Sequence, residues 1–156
     1  MSVEETTKQR GSRYGEFRDN SYVTQTLCKL IYNYAIACDH EYNDAERESI
    51  HMICHKLARV VCGHGKVKDN WHDICGYALI TLPLLSDNKH AGFVPNNLCM
   101  ELYTVLQQYR TLEEYEKTAI FGILTMLSMS TVMSDASLWK NIISYAEAAE
   151  MLTEDE

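Results

Sequence analysis

The sequence predicts an all-α fold, an antiparallel bundle of about six helices. Three observations carry that expectation. Apolar residues recur at three-to-four spacing through most of the chain, no segment alternates apolar and polar residues as a strand does, and capping residues fall at the ends of the periodic runs. With 156 residues, 46% of them hydrophobic, one domain can bury roughly 70% of the surface its unfolded chain exposes.

The first helix is expected over about 20–39, where Tyr22, Val23, Leu27, Leu30, Ile31, Tyr34 and Cys38 share a face and Asp19 or Asn20 is available as cap. The second opens on the capping-box pair Asn43 and Glu46, carries Ile50, Ile53, Cys54, Leu57, Val60 and Val61 on one face, and stops at Gly63 and Gly65. A third begins near Asp69 and runs through Leu82, where Pro83 kinks or ends it. The loop-like SDNKHAGFVPNN follows, and its Pro95 suits the first turn of a fourth helix with Leu98, Leu102, Val105, Leu106 and Tyr109. Thr111 with Glu114 then caps a fifth helix, and Ser134 or Asp135 a sixth bearing Leu138, Ile142, Ala146, Ala149 and Leu152. The organisation read from these signals is a basic segment over 1–18, a helical region over 19–85, a second over 94–152 packed on it, and a frayed acidic tail over 153–156.

No run of about 18 apolar residues is available to span a bilayer, and the start MSVEETTKQRGSRYGEF lacks the apolar core of a signal peptide. A cytoplasmic protein is expected, with the six cysteines as buried thiols rather than disulfides. The net charge is −8, and residues 113–156 hold nine acidic residues against two basic ones. Repulsion from a nucleic-acid backbone argues against general nucleic-acid binding there. Lys8, Arg10, Arg13 and Arg18 cluster near the start, where a small anion could bind.

The most informative stretch is KDNWHDICGYALI, at 68–80. At about 100° per residue, Asp69, Asp73, Gly76 and Ile80 fall on one arc of the third helix, with Tyr77 at its margin. Lys56, Arg59 and Glu48 flank the apolar face of the helix before it, so either cation can meet Asp73 across the seam. Two arrangements satisfy this pattern. In one, Asp69 caps its helix, Asp73 pairs with Lys56 or Arg59, and Gly76 lets the helices approach closely. In the other, the carboxylates hold a divalent cation while Lys56, Arg59 and the N-terminal arginines contact phosphate oxygens. A direct ion pair marks the first, and a pocket between the partners marks the second. His51, His55 and Cys62, with His72 and Cys75, could alternatively supply zinc ligands, although their spacing is no standard zinc pattern.

The segments RGSRYGEFRDN, at 10–20, and ERESIHMICHKLARVVCGHGKVKDNWHDICGYALI, at 46–80, resemble a small domain family of unknown function found in bacteriophage and prophage genomes. The matching positions are Tyr14, Gly15, Glu16, Phe17, Asn20, Lys56, Arg59, Gly63, Asp69, Trp71, Asp73, Gly76 and Tyr77, and the match covers residues 8–85. That family is distantly similar to the all-α MazG-like nucleotide pyrophosphohydrolases, in which paired acidic motifs bind magnesium. The resemblance implies a MazG-like first half, a homo-oligomer, and a nucleotide or nucleotide-derived small molecule as ligand. It also implies Mg²⁺ held by Asp69, Asp73 and Glu16 or Glu48, with Arg13, Tyr14, Lys56, Arg59 and Tyr77 on the nucleotide and its phosphates. This chain departs from the hydrolase pattern: Glu16 and Asp19 precede the first expected helix, and Lys56 and Arg59 stand where a second acidic pair would be. The expected function is therefore a phage-type nucleotide-binding protein, with Mg²⁺-dependent nucleoside triphosphate pyrophosphohydrolysis as its activity. The alternative is a non-catalytic interaction protein that sequesters a nucleotide signal or inhibits a host defence protein in the host cytoplasm.

Overall fold

Seven α-helices, and no strand, make up the described residues of a computed structural model, which are 1–87 and 97–155. They are α1 (Val3–Tyr14), α2 (Phe17–Ala37), α3 (Asp44–Cys62), α4 (Lys68–Thr81), α5 (Leu98–Leu106), α6 (Glu114–Met129) and α7 (Ala136–Leu152). The all-α bundle expected from the sequence is what the chain forms. No described helix is long and apolar enough to cross a membrane.

Six of the helices close into a ring. α2 packs on α3, α3 on α4, α4 on α7, α7 on α6 and α6 on α5, and α5 returns to α2. Their apolar stripes meet in a single core that includes Leu27, Ile31, Ile53, Leu57, Trp71, Ile74, Leu102, Ile123, Leu127, Trp139 and Ile142. Regions 19–85 and 94–152 both contribute to it, because α7 lies along α4. All six cysteines are free; Cys28 and Cys54 are buried as expected, whereas Cys38, Cys62, Cys75 and Cys99 are only half-buried.

Several boundaries differ from the sequence reading, each for a local reason. The basic segment over 1–18 is mostly helix α1, with Ser2 as N-cap accepting from the Glu5 N–H at 3.1 Å, yet it buries no residue. α2 starts at Phe17 with Glu16 as N-cap, so neither Asp19 nor Asn20 caps it, and Asn20 instead turns inward. The Asn43–Glu46 capping box forms, with reciprocal bonds of 2.8 and 3.0 Å. α4 begins at Lys68, before Asp69, and Pro83 sits in a short 3-10 turn, Leu82–Leu84, that ends its regular part. Pro95 lies outside the described residues.

The fifth expected helix starts two residues late. Glu116 rather than Glu114 reaches back to the chain, accepting from the Glu113 N–H at 2.8 Å, while Arg110 grips the same carboxylate. Asp135 caps α7 through the Ser137 N–H at 2.9 Å, and Ser134 donates instead to the buried Glu46 carboxylate at 2.8 Å. The tail is anchored over 153–155: Thr153 is buried and donates to the Ala149 carbonyl, and Asp155 accepts from the Lys68 N–H.

Outside the ring, α1 rests on α3. Two glycines make that approach close. Gly15, in the α1–α2 turn, has φ 90°, and a Cβ there would lie 2.6 Å from the Cβ of Cys62; one at Gly63 would lie 2.4 Å from the Arg13 carbonyl oxygen. The turn after α1 and the end of α3 are thus pressed backbone to backbone. Gly15→Ala is expected to cost about 1–3 kcal/mol, because it adds both positive-φ strain and a clash. A denaturant titration that leaves the midpoint of Gly15→Ala at the wild-type value would refute that reading of the turn.

Candidate functional site

The polar edge of α4 carries a direct ion pair to α3. Lys56 of α3 is 9% exposed, and its Nζ lies 3.0 Å from Asp73 Oδ2. That direct ion pair is one of the two arrangements the sequence allowed. Arg59 takes no part in it. Gly76 does not serve close packing, since it is exposed and an added Cβ would meet open space. Tyr77 is half-buried, and its carbonyl accepts from Ser49 at 3.1 Å and Thr81 at 2.7 Å.

The four carboxylates expected on magnesium do not gather. Asp69 is exposed at the start of α4, Glu48 is exposed on α3, Glu16 is the exposed N-cap of α2, and Asp73 is engaged by Lys56. Among the described residues no group of three or more His, Cys, Asp or Glu side chains is placed to hold a metal ion. The zinc spacing fails in the same way, because His72 pairs with Glu150 at 3.1 Å and His51 turns to Cys28 at 3.7 Å. This donor set does not fit a Mg²⁺ centre.

A different part of the expected constellation converges. A cleft of about 450 Å³ opens between α1, α2 and α3. Each wall is one helical stripe: Thr7, Arg10, Gly11 and Tyr14 from α1; Phe17, Asn20, Ser21, Thr24 and Gln25 from α2; His51, His55 and Arg59 from α3. Residues four apart on a helix share a face, so His51, His55 and Arg59 stand in one column. The sequence reading paired the two histidines with Cys62 and did not place Arg59 with them. Thr24, Phe17 and Asn20 belong to the opposite wall and were legible only as residues seven, or three and four, apart on one helix.

Arg59 is held flat rather than neutralised. Its guanidinium lies 4.5 Å from the centroid of the Tyr14 ring, with Arg13 on the same ring at 5.7 Å. No described carboxylate pairs with Arg59, and Arg13 does not line the cleft but approaches Asp155 at 3.9 Å. The N-terminal end of α2 also opens here through Gly15, Glu16 and Phe17, adding the positive pole of a 21-residue helix. Among the described residues, Glu16 is the one carboxylate lining the cleft.

Burial, reinforced by the neighbouring charges of Arg59 and Lys56, pushes the His55 imidazole down to about 4. The histidine is therefore neutral near pH 7 and leaves the wall with a cation beside a neutral donor–acceptor ring. Behind the wall, a hydrogen bond with Cys54, aided by His51, brings the Cys28 thiol down to about 7 against the opposing effect of burial. Cys28 is 5% exposed and reaches the cleft only through His51.

Comparison with known proteins finds no matching family model, no matching curated protein and no matching solved structure. The site therefore rests on its own geometry.

Two outcomes follow. Asp73→Asn should cost about 1 kcal/mol, a modest loss because Asp73 is partly exposed; Lys56→Met in that background should recover it, since an apolar side chain of similar length removes the unpaired buried charge. Chemical denaturation of the single and double variants measures both, and a double variant no more stable than Asp73→Asn would contradict the assignment. For His55 the folded-state value lies below the ordinary 6.5, so the unfolded chain binds more protons between the two. Its contribution to stability is complete above pH 6.5 and is lost as pH falls toward 4. His55→Gln should flatten that part of the stability–pH profile; an unchanged slope would show that other groups produce it.

Proposed function

We propose that the protein binds a small phosphate-bearing ligand of the nucleotide class in the cleft between α1, α2 and α3, and holds it without metal-assisted hydrolysis. The observation that carries this reading is Arg59, a half-buried guanidinium in the cleft wall with no carboxylate partner among the described residues. An unpaired cation of this kind is stabilised by an anion, and the planar fork suits phosphate oxygens. Arg10 faces the same cleft from α1, and the α2 N-terminus adds to the field.

Two further features favour a nucleotide over a bare anion. The cleft volume, about 450 Å³, falls within the range of small-molecule sites. Tyr14 and Phe17 also line it, and Phe17 is 85% exposed, which leaves an aromatic face free for a base to stack on. The hydrolase reading asks Asp69, Asp73, Glu16 and Glu48 to share one metal, and their dispersal gives it no support. Retention of an intact nucleotide, as in sequestration of a signal, is the reading that fits the residues.

Isothermal titration with AMP, ADP and ATP in EDTA tests this. At least one should bind without metal, and Arg59→Gln should weaken it about 10- to 100-fold, the loss of a charge-assisted contact. Asp73→Asn should leave the affinity unchanged. Absence of binding by all three, or an Arg59→Gln variant with wild-type affinity, would overturn the proposal; release of pyrophosphate on adding Mg²⁺ would restore the hydrolase reading.

A further inference from the structure

The α2 wall of the cleft contains two buried polar atoms with nothing to bond. Asn20 is 8% exposed and Thr24 is 3% exposed, both line the cleft, and neither Asn20 Oδ1 nor Thr24 Oγ1 has a hydrogen-bond partner among the described residues. Buried polar atoms in folded proteins are nearly always satisfied, so each such exception calls for a cause.

The chemistry of each atom is fixed by its surroundings. Asn20 Nδ2 donates to the Tyr14 carbonyl at 2.9 Å and to the Gly15 carbonyl at 3.2 Å. Flipping the amide would set its oxygen against those two carbonyl oxygens, so Oδ1 is the free end, and it can only accept. Thr24 departs from the commoner pattern. Thr7, Thr81, Thr104, Thr118 and Thr125 each donate to the carbonyl four residues earlier in their helix, as helical threonines commonly do. Thr24 and the less buried Thr26, both in mid-helix, have no such bond. The Thr24 hydroxyl, like Asn20 Oδ1, lies just beneath the cleft surface, closed to solvent as the walls stand.

A fully ionised phosphate satisfies Arg59 but offers nothing to Asn20 Oδ1, because its oxygens accept and do not donate. The cleft is therefore bipolar, cationic on the α3 side and hydrogen-bond-accepting on the α2 side. We infer that it takes a hydroxyl-bearing phosphate ester, whose phosphate lies against Arg59 and whose sugar hydroxyls reach Asn20 Oδ1 and Thr24 Oγ1 as α1, which buries no residue, shifts off the α2 wall. This inference rests on the anion-binding reading above and adds the part of the ligand that Arg59 does not recognise. Sugar phosphates and nucleotides share that chemistry.

Calorimetric titration of the full chain with inorganic phosphate, ribose 5-phosphate and AMP separates the cases. Ribose 5-phosphate should bind about tenfold more tightly than inorganic phosphate, the worth of one or two neutral hydrogen bonds. Thr24→Val, nearly isosteric, should remove most of that advantage without altering phosphate affinity, and Thr24→Ser should restore it. AMP equal to ribose 5-phosphate identifies a sugar phosphate as sufficient, and AMP tighter still identifies a nucleotide; both support the inference. Ribose 5-phosphate no better than inorganic phosphate overturns it while leaving the anion site intact, even if AMP is tighter, because the gain then belongs to the base. Thr24→Val with wild-type affinity for ribose 5-phosphate also overturns it. Failure of all three ligands to bind removes the anion-binding reading itself. The ligand series on the wild-type chain decides the matter even if Thr24→Val does not fold.

Discussion

The pair of half-buried Arg110 and buried Glu116 closes the C-terminal end of α3, and the position of the cleft depends on it. The last carbonyls of a helix have no partner within it. Here the Val60 carbonyl accepts from Arg110 Nη2 at 2.7 Å and from Nε at 3.2 Å, while the guanidinium forks onto both oxygens of Glu116, which is 1% exposed. Glu116 also accepts from the Glu113 N–H, so its carboxylate is satisfied on several sides despite its burial. Burying one partner alone would be strongly unfavourable, and the geometry offsets that cost with charge-assisted hydrogen bonds. The result ties the start of α6 to the end of α3, one residue from Arg59 and three from Gly63.

Charges fix α3 at two other levels. At its N-terminus the buried Glu46 carboxylate accepts from Ser134 and from the Asn43 N–H, joining the first turn of α3 to the loop before α7. In the middle, Lys56 reaches Asp73 on α4. Each bond lies on a side of α3 that faces the ring. The column His51, His55 and Arg59 lies on a different side, toward α1 and the neighbouring ring helix α2, and has no carboxylate partner among the described residues. Polar groups bonded to neighbouring elements and polar groups lining the cleft are thus segregated on two faces of one helix.

How much of this was legible follows from what each feature depends on. Helices α2 to α7 declare themselves through apolar periodicity because each buries a stripe in the common core. α1 buries nothing, so no period marked it, and its residues read only as a basic segment. The capping box at Asn43 is local and was visible. The Arg110–Glu116 pair spans six positions across a helix start, a spacing that matches no helical neighbour rule, and it displaced the expected cap at Thr111. The Lys56–Asp73 contact could be proposed from two antiparallel helices, but not whether it would be bonded or open. Asp69 and Gly76 share its arc, yet both are exposed, as is Ile80 on the same arc, and neither Asp69 nor Gly76 joins the pair. The cleft required knowing that Gly15 meets Cys62 and Gly63 meets Arg13, contacts between segments far apart in sequence that no local pattern records.

The same contacts govern how the cleft responds to what enters it. α1 supplies one wall but has no apolar anchor, so it is held by the turn at Gly15, by Asn20 donating to the Tyr14 and Gly15 carbonyls, and by Arg13 near Asp155. The opposing wall is α3, fixed at both ends and in the middle by buried charges. A ligand that bridges Arg10 on the weakly held wall and Arg59 on the rigid one stabilises the docked position of α1, because it binds only when both are present. By linkage, a change that strengthens α1 docking raises affinity only to the extent that the undocked state was populated. The local field works in the same sense. Arg59 and Lys56 contribute to lowering His55, and an anion between the walls would counter their field at the imidazole and make its protonation less unfavourable. A protein of net charge −8 thereby keeps a compact cationic surface at Arg10 and Arg59, with Glu16 at the α2 end of the same cleft.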